Sequence, residues 1–267
     1  MMEVTGLTAH TSKGISLLED VSFSLIPGIC TGLTGSSGSG KTTLLKSLMG
    51  VSDGNVSLSS GKILLDGDDL LLKGGRERRE LCGTTLGFIP QNPMTAFNLH
   101  VSIGAQMTET FRKRLKLDKA AARNLGAEVL QKVNLSDVER VYRAYPGQLS
   151  GGMLQRVTMA ILIGLSPRYI FADEPTSALD GDNKTYLIEE LVRLKKNAAI
   201  LFVSHDDAAI RSLCDEVLVM GNGRIVERGP IETIFHEPQQ EWTKEFVKLA
   251  NTEEGGGWTW NKSESAM

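Results

Sequence analysis

Gly35-Ser36-Ser37-Gly38-Ser39-Gly40-Lys41-Thr42 constrains this chain more than any other stretch. It fits the pattern G-x-x-x-x-G-K-[ST], follows the apolar run Ile29–Leu33 and precedes a helical run, Thr43-Leu44-Leu45-Lys46-Ser47-Leu48-Met49, with Gly50 placed to end it. Small residues let backbone N–H groups converge on phosphates, and the start of the helix adds favourable dipole charge. Lys41 is placed to reach the β- and γ-phosphates of a nucleotide, the Thr42 hydroxyl to ligate Mg²⁺, and Thr43 completes the candidate phosphate contacts. The rival reading is a flexible Gly/Ser loop that matches by chance, and the strand–loop–helix context counts against it.

The remaining sequence agrees with that context. Short apolar and β-branched runs alternate with helix-period segments, so the fold class is α/β with a mainly parallel sheet. Early strands are predicted at Val21–Leu25, Ile29–Leu33, Ile63–Asp66 and Thr85–Ile89. Later ones are predicted at Tyr169–Asp173, Ile200–Ser204, Val217–Met220 and Arg224–Glu227, with Asn222-Gly223 as a hairpin turn between the last two. Between Gln91 and about Gly164 the strand signal disappears. Ser102–Lys116 and Lys119–Val133 carry helical spacing there, which predicts a helical subdomain inserted into the core. The tail after Asn251 reads as flexible or partner-dependent.

Composition narrows the classes. A net charge of −3 gives no pull toward nucleic acid or anionic lipid. The longest apolar stretches are too short to cross a bilayer, and no charged start precedes an apolar leader, so secretion is not expected. Cys30, Cys82 and Cys214 are isolated in sequence, which favours reduced thiols over a metal site or a disulfide. The expectation is an intracellular protein whose link to any membrane runs through a partner.

Three further groups fall at predicted strand ends, where α/β sheets bind ligands. Tyr169-Ile170-Phe171-Ala172 ends in Asp173-Glu174, with Pro175 closing the strand. Asp173 would hold the Mg²⁺ shell and Glu174 would polarise an attacking water. His205 emerges after Ile200–Ser204 and would contact the γ-phosphate. Gln91 follows Phe88-Ile89-Pro90, where its amide would touch both Mg²⁺ and water. Each alone has a plainer reading, as an acidic turn, a surface histidine or a turn glutamine; together they describe one site.

A second glycine-rich turn, Leu149-Ser150-Gly151-Gly152-Met153, opens its own helix near Met153, a further anion-binding helix start. With it in place the chain resembles the ATP-binding subunits of ABC transporters over about residues 3–250. The matching pieces are the Walker A loop Gly35–Thr42, the Q-loop glutamine Gln91 and the signature Leu149–Met153. They continue with Walker B through Asp173-Glu174, the D-loop Ser177-Ala178-Leu179-Asp180 and the switch His205. The resemblance implies a P-loop NTPase core at about 1–90 and 165–235 with an N-terminal antiparallel β part. It further implies a helical subdomain at about 91–164, a helical segment at 236–250 and a tail at 251–267.

In that family two subunits close head-to-tail over two ATP molecules, so Ser150, Gly151 and Gly152 would contact the partner's ATP, and Asp180 would lie at the same interface. Gln91–Asn98, the signature and the end of the chain are similar to the dipeptide/oligopeptide/nickel importer group. That group implies a second, different ABC ATPase subunit (a heterodimer), two transmembrane permease subunits and an extracytoplasmic solute-binding protein. The expected place is the cytoplasmic face of the cell membrane, held through the permeases. The expected solute is nickel or a metal chelate, or alternatively a di- or oligopeptide. Rival classes are a soluble ABC ATPase acting on DNA or ribosomes, and a regulatory module that binds ATP without turnover. No nucleic-acid partner is expected.

Some positions depart from the group. Met153 replaces the commoner signature glutamine, Leu99 stands where many relatives have proline, and Trp242 where many have tyrosine. His10 alone stands near the first strands, where an aromatic usually stacks on adenine. Met94, Phe97, Leu99 and Ile103 either line a groove for a membrane-subunit helix or pack the helical subdomain.

Overall fold

The computed structural model describes residues 1–51, 54–177 and 179–252. The chain runs through β1 (Met2–Thr11), β2 (Ser16–Leu25), β3 (Cys30–Gly35), α1 (Lys41–Leu48), β4 (Val56–Leu65), β5 (Asp68–Asp69), α2 (Gly75–Leu81) and β6 (Leu86–Ile89). Four helices follow without a strand between them: α3 (Ile103–Leu115), α4 (Lys119–Lys132), α5 (Val138–Arg143) and α6 (Gly151–Leu165). The chain then returns through β7 (Tyr169–Asp173), α7 (Gly181–Lys195), β8 (Ala199–Val203), α8 (Asp207–Leu213), β9 (Glu216–Gly221) and β10 (Arg224–Pro230) to α9 (Ile231–His236) and α10 (Glu241–Thr252).

Two sheets organise these elements. One has the order β2-β1-β4-β5 and is antiparallel; the other has the order β10-β9-β3-β8-β7-β6 and is parallel except at the β9–β10 hairpin. The α/β fold, the parallel sheet and the N-terminal antiparallel sheet are therefore all present. Side-chain alternation splits the parallel sheet between two apolar cores. Phe171, Leu201, Val203 and Leu218 face a core shared with Leu44, Leu45 and Leu48 of α1 and with Val4, Leu7, Val21 and Phe23 of the antiparallel sheet. Ile170, Ala172, Ile200, Phe202, Val217 and Val219 face the other, shared with α3, α4, α6, α7 and α8. The helix behind the phosphate loop is thus clamped against two sheets, which fixes the loop from below.

Asn222 and Gly223 both adopt positive φ, +48° and +78°, as a two-residue hairpin turn requires. Gly50, at φ +66°, follows the last turn of α1. Several strands exceed their predicted ranges, β2 by beginning at Ser16, five residues before Val21. β1 was not among the predicted strands, because breaks in its register between Val4 and Leu7, and again beyond Leu7, interrupt the period-two pattern. β4 begins seven residues before Ile63, in the serine-rich stretch Ser57-Leu58-Ser59-Ser60. At the carboxyl end, Glu227 of β10 accepts from the backbone N–H of Gln239 and Gln240, at 2.8 and 3.0 Å, just ahead of α10. α10 runs through Thr252, and most of the predicted tail lies outside the described residues. Cys30 and Cys214, remote in sequence, bring their sulfurs to 3.6 Å as free thiols inside the core. Among the described residues, no helix is long and apolar enough to cross a membrane.

Candidate nucleotide site

The register of the parallel sheet assembles the site. Leu33 pairs with Val203, and Val203 with Asp173, so the ends of β3, β8 and β7 are level. β6 joins through Ile89 opposite Ala172. The residues leaving these strands at the shared edge are Gly35, Ser204-His205, Glu174 and Pro90-Gln91. Four segments distant in sequence thus reach one edge, the one at which α/β sheets present ligand sites.

The loop from Gly35 to Gly40 needs its glycines. Gly35 has φ +148°, and a Cβ there would lie 2.2 Å from the carbonyl oxygen of Met220; Gly40 has φ +103°, and its Cβ would lie 2.6 Å from that of Leu17. The N–H of Gly223 donates to the Ser39 carbonyl at 3.1 Å, so the β9–β10 hairpin buttresses the loop. Lys41 is 6% exposed, and its Nζ donates to the carbonyls of Gly35 and Ser36 at 2.7 and 2.9 Å. Burial lowers the Lys41 pKa, and the carboxylates of Glu174 and Asp173 oppose that shift. Both acids therefore lie near enough to act electrostatically on the ammonium. Thr42 is exposed and Thr43 half-buried on the first turn of α1.

Burial raises the Asp173 pKa, the neighbouring Glu174 raises it further, and Lys46 and Lys41 oppose them. A carboxylate crowded in this way is favourable ground for a cation. Carboxylate, hydroxyl and amide oxygens from Asp173, Thr42 and Gln91 are the hard donors that Mg²⁺ prefers, so the residues present fit that ion.

Glu174 has φ +44°, uncommon for a residue with a side chain. Its N–H donates to the Val203 carbonyl at 3.0 Å, and its carboxylate lies 3.0 Å from His205 Nε2. The Glu174 carbonyl accepts from both the N–H and the hydroxyl of Ser177, at 3.2 and 2.9 Å. Gln91 Nε2 in turn donates to Ser177 Oγ at 3.3 Å. Gln91, Ser177, Glu174 and His205 therefore form one connected chain. The Ser177 hydroxyl is a link the sequence reading did not single out. Its signal is Glu-Pro-Thr-Ser, a turn with proline second and a hydroxyl last. Behind His205, the Asp206 carboxylate caps α8 through the Ala209 N–H at 3.0 Å and pairs with Lys184.

The second glycine turn stands elsewhere, at the start of α6. Ser150 is the N-cap and accepts from the Met153 N–H at 3.2 Å, so the helix starts at Gly151, two residues before the predicted start. Gly151 is exposed, with open space where a side chain would be, whereas a Cβ on Gly152 would lie 2.7 Å from Asn183 Nδ2. Asp180 caps α7 by accepting from the Asn183 N–H at 3.0 Å and holds the Asn183 amide at 3.1 Å. Met153 is half-buried against the helical core.

His10 pairs its Nδ1 with Ser59 Oγ at 3.1 Å on the antiparallel sheet. Of the four apolar residues after Gln91, Ile103 and Phe97 are buried and Met94 packs on the core, while Leu99 is exposed. Packing accounts for three of them.

The ABC transporter family profile matches residues 18–177, more than half of the chain. The metal-staphylopine import system ATP-binding protein CntD of Staphylococcus aureus (strain Mu50) is 34% identical over 230 residues, covering 85% of this chain and 84% of that protein. The dipeptide transport ATP-binding protein DppD of Escherichia coli (strain K12) is 33% identical over 253 residues, covering 93% and 77%. Among solved structures, the dimeric post-hydrolysis state of the ATP-binding cassette MJ0796 bound to ADP and Pi superposes with a TM-score of 0.76 at 22% identity. It covers 86% of this chain and 99% of that one, and it supports the fold.

Proposed function

The chain belongs to the ABC transporter family, and from that premise we propose that it is the ATP-binding and ATP-hydrolysing subunit of a membrane importer for nickel or another metal chelate. The observation that carries the ATPase reading is the convergence of the Gly35–Thr42 loop, Asp173, Glu174, His205 and Gln91 on one sheet edge. The relative from the metal-staphylopine system supports a metal-chelate cargo. Dipeptide transport relatives of similar identity support a peptide cargo as the second reading.

Phosphoryl transfer is mostly positioning and charge stabilisation, and the residues divide that work. The backbone N–H groups of Gly35–Lys41 and the start of α1 cradle the triphosphate of ATP. Lys41, whose ammonium satisfies the loop carbonyls, is within reach of the β- and γ-phosphates. Glu174 takes the proton of the attacking water, and His205 orients that carboxylate beside the γ-phosphate. Thr42, Asp173 and Gln91 would hold Mg²⁺, which supplies neutralising charge. Ser150, Gly151 and Gly152 serve a partner's ATP: the turn is exposed at a helix start and is separate from this chain's own phosphate loop. Residues 1–250 act as one ATPase domain, with about 91–164 as its helical arm and 236–250 as its closing helical segment.

The partners in this reading are a second, different ATPase subunit, two permease subunits at the cytoplasmic face of the membrane and an extracytoplasmic solute-binding protein. Leu99, the exposed one of the four apolar residues after Gln91, faces the permease. Purification of the tagged chain from detergent-solubilised native membranes tests this. The expected companions are one further ATP-binding subunit and two membrane proteins. Recovery of the chain alone, or with nucleic acid, would contradict it.

A further inference from the structure

We infer that Ser177 is a positioning residue for hydrolysis, carrying the position of Gln91 to the backbone of Glu174; this rests on the reading of Glu174 as the group that activates water. Glu174 sits in the left-handed region, a conformation that costs free energy and persists only where neighbours hold it. Its side chain is anchored at one end by His205, at 3.0 Å. Its main chain is anchored at the other by the Val203 carbonyl and by Ser177, whose N–H and hydroxyl both reach the Glu174 oxygen.

A serine hydroxyl has one proton. Here that proton goes to the Glu174 carbonyl at 2.9 Å, which leaves the Ser177 oxygen to accept from Gln91 Nε2 at 3.3 Å. The direction of the chain is therefore fixed: Gln91 donates to Ser177, and Ser177 donates to Glu174. Hydrogen bonds in series polarise one another, so the Ser177–Glu174 bond is strongest while Gln91 is in place. When Gln91 withdraws, the hydroxyl loses its donor and is free to rotate, and the turn holding Glu174 loosens. Gln91 is exposed and precedes α3, the first helix of the helical arm, so a displacement of the arm that carried Gln91 with it would act on this relay. Ser177 thereby links the helical arm to the carboxylate without touching substrate.

The test is a double-mutant cycle on ATP turnover by the purified transporter complex. Ser177→Ala should lower kcat about tenfold, the scale of one lost hydrogen bond in the transition state, with KM and ATP binding unchanged. Ser177→Thr, which keeps the hydroxyl, should restore most of the loss. In a Gln91→Glu background, which keeps an oxygen for Mg²⁺ but removes the N–H donor to Ser177, Ser177→Ala should cost little more, since the relay is already cut. An equal cost in both backgrounds, an unchanged kcat, or a loss confined to ATP affinity would overturn the relay. Glu174→Gln separates this from the parent reading: an inactive Glu174→Gln beside an unaffected Ser177→Ala refutes Ser177 alone, whereas an active Glu174→Gln removes the reading beneath it.

Discussion

Lys41 shows how one residue serves both folding and function. Its ammonium is nearly buried, yet it is satisfied by two carbonyls of the loop it belongs to, so the cation is held where phosphate charge is needed. Lys41→Ala should abolish nucleotide-induced stabilisation. At about 100 times Kd, ATP raises the stability of a binding protein by about 2.7 kcal/mol, and the variant should show no ATP-dependent shift in Tm. Cysteine chemistry gives a second residue-scale expectation. Cys30 and Cys214 are buried together, and burial followed by the neighbouring thiol pushes the Cys30 pKa well up, so little of the reactive thiolate forms. Alkylation of the folded protein should label Cys82 alone, with Cys30 and Cys214 labelled only after denaturation; mass spectrometry of the modified peptides checks it. The loop, the acid pair and His205 were legible in the sequence because each belongs to a contiguous motif. The Cys30–Cys214 contact and the Gln91–Ser177 bond were not, because each joins positions 184 and 86 residues apart.

At the level of elements, local signals marked most boundaries, and long-range contacts decided the rest. The start of α6 follows from Ser150 as N-cap, whereas β1 was hidden by the breaks in its register. In the helical arm, glycine spacing conveys nothing until Tyr142 is placed. A Cβ on Gly126 would lie 1.8 Å from the Tyr142 hydroxyl oxygen, and one on Gly104 would lie 2.1 Å from its ring. Gly126→Ala should therefore destabilise the fold by about 1–3 kcal/mol in urea unfolding, as overpacking does. Between the two sheets, Asp66 at the end of β4 pairs with Arg168, just before β7, at 2.6 Å. The Arg168 guanidinium, with help from the Met1 amino group, holds the Asp66 pKa at about 2 against an ordinary 3.8. A depressed carboxylate contributes stability above its unfolded pKa and loses it as pH falls through the folded value. Asp66→Asn should thus be less stable than the parent at pH 7, and the gap should close between pH 3.8 and about 2.

On the scale of the whole molecule, the proposed ATP site lies at the edge of the parallel sheet, and the second glycine turn stands apart from that edge in the fold, at the start of α6. In the proposed reading that division suits an ATPase working in pairs, in which each subunit would lend its glycine turn to the other's nucleotide. The central question for this molecule is whether the carboxylate beside His205 drives turnover. Steady-state ATP hydrolysis by the purified transporter carrying Glu174→Gln measures this most directly. ATP should remain bound while turnover at this chain's site falls at least about a hundredfold, the scale of lost general-base catalysis, leaving no more than the partner site's share. Turnover equal to that of the unmodified complex would contradict it.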